Sequence, residues 1–567
     1  MVLPKILVLT AYLTSNRWLD DTPDWVARVL YEHSAKRMEH GLTFARWAGL
    51  GSHRNPIGFS GDTYMEWSSL AFQPYFTATA SNVLFGFWSH DIGGHRSTQC
   101  PSTGAHGSHN ETCEFGHTKA AYDPELYLRW LQWGAHAPIL RTHPQPDPKV
   151  ERRAWGYSLP WSGYMRDAFA RRARLVPALF TANHAFESSA VAALRGLYYD
   201  FPEQDGAYVH KDTYLFVDGL LVAPMVSPMD NTTELATRAL WLPPGGWVDT
   251  NSGVEVQAGA EGQELEYSAT VWEVPVFAKS GSMIPLALQP GVPLDGFDPA
   301  LAQPAIGSAA REPDLLSWEV WMGSSLTGRG TVWEESRGAS NVSYALTDQG
   351  KTLTLRVSQP EATDMAGRTH RFELQNVPLA KDVAKCGSSM PMPPDYNDAS
   401  YDPRALALNV HVDAHYNSHT DERGGCLVIH FHGSITADGG EASSPGGGSL
   451  RGIPYKTLRQ RLHVIKQRFD DLVTRPGLYL MPIVEATNTA DRIGRRAAGA
   501  AAGVQWAAEL AAFGGRVNAA LRAIEQWAAS AKGNQKTGPA AQGLLAVSKA
   551  WICDGAAAAQ LELEACH

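Results

Sequence analysis

The stretch Phe44–His95, FARWAGLGSHRNPIGFSGDTYMEWSSLAFQPYFTATASNVLFGFWSHDIGGH, decides how this chain folds. Three charged residues stand out in it: Arg46, Asp62 directly after Gly61, and Asp91 in the run SHDIGG. All three are set among aromatics and glycines. The apolar runs Leu42–Arg46 and Val83–Trp88 have the character of short buried strands. Carboxylates at strand ends, aromatic walls and a cation that fixes a hydroxyl or a carboxylate are the ingredients of a site that holds and cleaves a sugar.

A third strand-like run, Pro138–Arg141, lies downstream, and helical patterns alternate with the strands. Trp25–Glu39 has Val26, Val29, Leu30 and Ala35 at helical spacing; Asp123–Gly134 and Tyr164–Glu187 also predict helices. Repeated strand-then-helix order predicts a parallel sheet or barrel. A complete eightfold barrel takes about 250 residues, so residues 1–195 are expected to supply the C-terminal part of a (β/α)₈ barrel. From 196 onward the pattern is all-β: Tyr214–Phe216, Leu220–Pro224, Ala239–Leu242 and Thr270–Phe277 are separated by turn clusters such as Pro243-Pro244-Gly245-Gly246. Residues 196–290 are expected to form a proximal β-sandwich and 291–435 a distal one. Thr436–Ser449, TADGGEASSPGGGS, is a linker by composition, placed at 436–452. The region 453–567 is Ala-rich and helical in pattern. In it, Lys456–Val473 sets apolar residues opposite basic ones, as an amphipathic packing helix or as a partner-binding one. The expected fold class is therefore α/β plus all-β: a partial (β/α)₈ TIM-type barrel, two β-sandwich domains and an α-helical C-terminal region.

Composition narrows the function. The chain has 567 residues, 44% hydrophobic and 19% charged, which fits a globular protein of several domains. Its net charge of −10 with no long basic run argues against nucleic acid as a partner. No apolar run reaches the roughly 18–20 residues of a membrane span. Met1–Ser15 suits a short signal peptide or a buried strand. Six cysteines in a chain this long do not make a disulfide scaffold, yet Cys100 and Cys113 bracket one polar loop and are candidates to pair. Asn110-Glu111-Thr112, Asn231-Thr232-Thr233 and Asn341-Val342-Ser343 match the glycosylation pattern, and with the Cys100–Cys113 pair they lean towards a secretory route. His106, His109 and His117 near that loop leave a zinc loop as an alternative. Elsewhere the histidines are scattered, without H-E-x-x-H or paired Cys/His spacing, so neither a metal site nor a cofactor is expected. Phosphate-binding and serine-nucleophile motifs are absent.

Each site candidate has a structural alternative. Asp62 suits an acid catalyst whose protonated form is favoured by partial burial among Phe59 and Trp67; the alternative is a turn aspartate or the N-cap of a helix from Met65 to Leu70. Asp91 precedes Gly93-Gly94 at a strand end, where barrels place ligand-binding groups; the alternative is an Asx turn. Arg46 ends a strand beside Trp47, or forms a structural ion pair with a neighbouring strand's carboxylate. His143 closes the run Arg141-Thr142-His143 one strand further along; His90 and His95 carry less signal.

Taken together, these motifs resemble glycoside hydrolase family 31, the retaining α-glucosidases and α-xylosidases. RWAGLGSHRNPIGFSGDT, LAFQPYFTATASNV, FWSHDIGGH, DPELYLRWLQWGA and PILRTH follow one another in the family's order. YLFVDGLLVAPMVSP, WLPPGGWVDTNSG and VPVFAKSGSMIPL resemble its barrel-to-sandwich segment. The resemblance is close over residues 25–290 and looser over 290–435; the tail resembles nothing in the family. It implies that Asp62 is the general acid/base. It implies that Arg46, Asp91 and His143 bind sugar hydroxyls, with Phe59 in the aromatic wall. It implies a covalent glycosyl-enzyme mechanism with a second carboxylate about 5–5.5 Å away. The family's nucleophilic aspartate sits on an earlier barrel strand, upstream of the arginine segment. Here Thr14–Trp25 aligns just after that motif, with no such strand and Asp ahead of it; Asp20, Asp21 and Asp24 of RWLDDTPDW sit in what predicts a polar helix start. The family's N-terminal sandwich and first barrel strands are likewise not expected in these residues. The expected function is hydrolysis of α-linked O-glycosyl bonds on an oligosaccharide or α-glycoside. The alternative is a carbohydrate-binding descendant or inactive fragment without the nucleophile, and for these 567 residues negligible turnover is expected.

Overall fold

The computed structural model describes residues 57–96, 123–144, 150–288, 315–358, 368–375, 377, 380–387, 399–402, 407–417, 422–431, 435, 455–472, 482–489, 502–532, 538–557 and 566, with 32, 36, 43, 44, 46, 52–54 and 313. Most of the Trp25–Glu39 helix, Asp20, Asp21 and Asp24, the Cys100–Cys113 loop and the linker lie outside the described residues.

Strands β1 (Gly58–Phe59) and β2 (Trp88–Ser89) pair in parallel, Gly58 with Trp88 and Phe59 with Ser89. A parallel bridge from Ile92 to Thr142 continues the same layer. Between β1 and β2 runs helix α1 (Trp67–Ser81). It begins at Trp67 with Glu66 in the cap position, so Asp62 is not its N-cap, and the expected start at Met65 is corrected. The strand expected over Val83–Trp88 is also shorter. The Leu84 and Phe85 amides bond back to Ser81 and Ala80, and Leu84 adopts φ 66°. The first half of that apolar run therefore closes α1, and only Trp88–Ser89 is left to pair.

Helix α2 (Pro124–Ala135) matches the expected one. Asp123 caps it by accepting from the Glu125 and Leu126 amides at 2.9 and 3.1 Å, and Pro124 occupies the first turn. Every residue from Glu125 to Ala135 is buried, so α2 is a core helix rather than a surface one. The single helix expected over Tyr164–Glu187 is two: α3 (Trp161–Arg174) and α4 (Val176–Ser189). Leu175 separates them and Pro177, which has no N–H to donate, restarts the second.

The β region holds two sheets and a ribbon. The first sheet has six strands in the order β3-β4-β5-β10-β7-β8: Leu194–Gly196, Tyr214–Phe216, Leu220–Val222, Val276–Lys279, Gly245–Asp249 and Glu255–Ala258. Its faces meet the ribbon β6 (Ala236–Leu242) with β9 (Gln263–Ala269) through Leu221, Phe277, Leu240 and Leu242. The chain enters the second sheet at β11 (Ser282–Leu288), ahead of the expected boundary at 290. That sheet runs from β11 through β12 (Leu315–Trp321), β13 (Thr327–Glu334), β14 (Gly338–Thr347), β15 (Thr352–Ser358), β16 (Arg368–Gln375), β17 (Ala380–Lys385), β18 (Ala399–Asp402) and β19 (Ala407–Asn417) to β20 (Glu422–Phe431). Eight of these strands close into a ring through the β19–β20 pairing, around a core that includes Trp318, Leu355, Phe372 and Ile429.

Helices α5 (Tyr455–Leu472), α6 (482–489), α7 (Ala502–Ala531) and α8 (Gly538–Ala557) form the tail. Leu458, Leu462, Ile465 and Phe469 of α5 are buried in one cluster with Val517, Ile524 and Trp551. The apolar stripe of α5 is therefore spent on intramolecular packing. Among the described residues two disulfides are present, Cys386–Cys426 and Cys553–Cys566, and no helix is long and apolar enough to cross a membrane.

Candidate functional site

The site forms where the chain leaves β1 and β2. After β1, Gly61 takes φ 78° and releases Asp62 from the strand direction. After β2, Asp91 is followed by Gly93 and Gly94 at φ 89° and 81°. A Cβ on Gly94 would lie 2.7 Å from the Met65 backbone, so only glycine lets the two segments approach this closely. After the turn the chain runs parallel to the segment that follows β1: the His95 and Arg96 amides donate to the Thr63 carbonyl at 2.8 and 3.0 Å, and the Met65 amide to the Arg96 carbonyl at 2.8 Å. Arg152 fixes the turn by donating to the Gly93 and Gly94 carbonyls.

That parallel pairing places His95 between the two aspartates. Its Nε2 lies 3.8 Å from Asp62 Oδ2 and its Nδ1 3.7 Å from Asp91 Oδ2. Arg46 and Arg96 each approach Asp62 at 3.2 Å, on different oxygens. Asp62 is about a quarter exposed and its partners are cations, in place of the enclosure by Phe59 and Trp67 expected from the sequence. The two alternatives posed for Arg46 converge, since the neighbouring-strand carboxylate it pairs with is Asp62.

Asp91 has the opposite setting. It is fully buried, and Arg141 donates to its Oδ1 from the segment Pro138–His143, where in place of the expected strand only the single bridge at Thr142 forms. Burial raises the Asp91 pKa, opposed by the Arg141 guanidinium and by His143 and His95. Its second oxygen has no hydrogen-bond partner and faces the His95 edge. Arg141 also lies over the Phe44 and Phe59 rings, 4.8 and 5.2 Å from their centroids, and those rings stack at 4.8 Å. His143 stacks on His95 with ring centres 5.0 Å apart. Desolvation, with repulsion from Arg141 and His95 and against the pull of Asp91, lowers its pKa and favours the neutral imidazole.

All five sequence candidates, Arg46, Phe59, Asp62, Asp91 and His143, thus come together. The sequence singles out none of Arg141, Arg96 and Phe44, and gives His95 less signal than its place in the site. The signal for Arg141 was its place in Arg141-Thr142-His143; the signal for His95 was the double glycine just before it. The expectation of scattered histidines is corrected, because Asp91, His95 and His143 present donor atoms all within 4.8 Å of one another. A divalent ion there would face the Arg141 guanidinium already on Asp91. Behind the site, Trp130 donates to His90 Nδ1 at 3.0 Å and Trp133 stacks on the same ring at 3.6 Å. Burial, with the charge of Arg141, keeps His90 neutral. It is a structural residue that locks β2 to α2.

Residues 22–182 match the Glycosyl hydrolases family 31 TIM-barrel domain, and residues 190–284 match the Glycosyl hydrolase family 31 C-terminal domain. An isomaltosyltransferase of Sporosarcina globispora is 24% identical over 289 residues, 48% of this chain and 23% of that protein. An α-xylosidase of Saccharolobus solfataricus is 25% identical over 246 residues, 43% of this chain and 30% of that protein. The matches span less than a third of the length of either curated relative. A family 31 dextranase of Flavobacterium johnsoniae, solved in complex with glucose, superposes with a TM-score of 0.55 at 19% identity, covering 71% of this chain and 47% of the dextranase. This likeness carries the fold: barrel first, β-rich domains after.

Proposed function

The chain belongs to glycoside hydrolase family 31, and on that premise we propose that its site binds an α-linked glycosyl unit and that Asp62 is the acid/base for cleaving the O-glycosyl bond. The observation that carries this is the division of labour between the two aspartates. Asp91, enclosed and neutralised by Arg141, suits a fixed acceptor for sugar hydroxyls. Asp62, partly open and bridged to Asp91 by His95, suits the group that exchanges a proton with the glycosidic oxygen. Phe44 and Phe59 supply an apolar face and His143 a neutral hydrogen-bonding edge. In the retaining mechanism a second carboxylate attacks the anomeric carbon while Asp62 protonates the leaving oxygen; Asp62 then deprotonates the incoming water.

A second reading is favoured by one observation. Asp91 is buried and engaged by Arg141, so it holds rather than attacks, and the nucleophile must come from another carboxylate. Without one, the site binds sugar and does not cleave it.

Hydrolysis of p-nitrophenyl α-glucoside and α-xyloside, run beside isomaltose binding, tests both. The cleaving reading expects release by the wild type and a loss of about 10²–10⁴-fold in Asp62→Asn, with binding retained. The binding reading expects retained affinity with no release from either protein. Absence of both binding and release overturns the proposal.

A further inference from the structure

The helical tail lies outside both family matches, yet one of its arginines is among the most buried side chains in the molecule. Arg461 on α5 donates through Nη2 and Nε to the Glu273 carboxylate at 2.8 and 3.3 Å. Its Nη1 donates to Asp554 and to the Trp551 carbonyl on α8, at 2.9 and 2.7 Å. Both Arg461 and Glu273 are almost completely buried. Burying an ion pair this fully costs solvation on both partners, and only a well-formed set of hydrogen bonds offsets it. The same arginine ties two tail helices to one loop of the first β-sheet domain.

That loop, 270–275, is gripped from its other side by the barrel. Arg129 of α2 donates to the Glu273 carbonyl at 3.0 Å, and Gln132 of α2 to the Val271 carbonyl at 2.8 Å. A second loop, 225–235, has the same arrangement. Glu125 of α2 accepts from the Met229 amide at 3.0 Å, while Trp551 of the tail donates to the Thr233 carbonyl at 2.9 Å. Both loops are therefore held between α2 and the tail. On its opposite face α2 holds the site strand: Trp130 and Trp133 fix His90, and a Cβ on Gly134 would lie 2.5 Å from Ile92. His90 and Ile92 flank Asp91. A series of buried contacts thus runs from Arg461 through Glu273 and α2 to the residues on either side of Asp91, polar as far as His90 and apolar at Ile92.

We propose that Arg461 is a positioning residue for the sugar site: by fixing Glu273 it sets α2, and α2 sets His90–Ile92. The tail is then part of the apparatus that shapes the site. The mechanical part of this proposal stands on geometry alone; its consequence for ligand rests on the assignment of Asp91 to sugar.

Hydrogen exchange on the full chain tests the two parts separately. In Arg461→Met, amides in 124–135 and 86–95 are expected to exchange about fivefold faster than in the wild type, with 327–358 unchanged. Arg461→Lys keeps the charge and one bond to Glu273 and is expected to restore 86–95 most of the way, which general loosening of the tail would not produce. If Arg461→Met does not fold, Gln132→Ala removes the α2 bond to Val271, and with it the Arg129–Gln132 bond inside α2, without touching the tail; 86–95 is again expected to speed up while 455–472 does not. Acceleration confined to the tail and 270–275, with 86–95 unchanged in either variant, overturns the proposal. Isomaltose affinity is measured on the same samples. Coupled exchange without wild-type binding sinks the sugar assignment and leaves the positioning intact; wild-type binding without coupled exchange sinks the positioning alone.

Discussion

The barrel layer and the ring of eight strands keep their shapes by different means. In the ring, β13 and β14 pair over eight successive residues, and alternate side chains such as Val342, Tyr344 and Leu346 point into a large apolar cluster. In the barrel layer, β1 and β2 pair over two residues. What fixes their ends is a set of buried charges, imidazoles and glycine turns, backed by α2. Regular pairing leaves little freedom for a side chain to be placed in an unusual way. The short barrel strands leave the chain free to turn at Gly61 and Gly93-Gly94, and those turns put Asp62, His95 and Asp91 side by side.

The strongest way to break this contrast is to remove the cation on Asp91. Arg141→Met leaves a buried carboxylate unpaired and is expected to cost about 4 kcal/mol, confined to the barrel layer. Urea titration followed by exchange of 124–135 and of 327–358 checks it; equal loss in both regions would merge the two. The converse is Leu355→Ala in the ring, expected to cost about 3 kcal/mol while leaving isomaltose affinity unchanged.

Acid should separate the regions next. Burial first, then the nearby Arg171 charge, pushes His136 at the end of α2 down to about 3, and His90 is lowered for similar reasons. The folded state keeps these imidazoles neutral, whereas the unfolded chain protonates them near 6.5. Their contribution is therefore complete above about pH 6.5 and is lost as pH falls from there towards 3. From pH 7 to pH 5 His136 alone accounts for about 2 kcal/mol, read as a falling urea midpoint of the barrel layer, and His136→Gln should flatten the slope. The smallest effect is expected at Arg46. Its side chain is about half exposed, so Arg46→Met should change stability by about 0.5 kcal/mol or less. An effect as large as that of Arg141 would show that the exposed edge of the site carries structural load.

The same contrast explains what could be inferred from the amino-acid string. The ring strands announce themselves by alternation, as in Thr352–Val357, and α2 by its cap Asp123, its Pro124 and its apolar run. The barrel strands are too short for periodicity to show, and Val83–Leu84 mimics a strand while ending a helix. Strand-end settings among aromatics and glycines pointed to Arg46, Asp62, Asp91 and His143, and the order of motifs assigned their roles and that of Phe59. Arg141 and Arg96 escaped, and His95 carried little signal, because their roles arise from the turn at Gly93-Gly94 and from the register between Ile92 and Thr142, which are tertiary facts. The Arg461–Glu273 contact joins residues far apart in sequence and left no local trace at all.

Calorimetric titration of the wild type and of Asp91→Asn with isomaltose, beside thermal melts of both, tests the central assignment most directly. The account predicts saturable binding by the wild type and a 10–100-fold weaker affinity in a folded Asp91→Asn, because a charge-assisted acceptor is lost. Equal affinity in the two proteins would contradict it and move the sugar site away from Asp91.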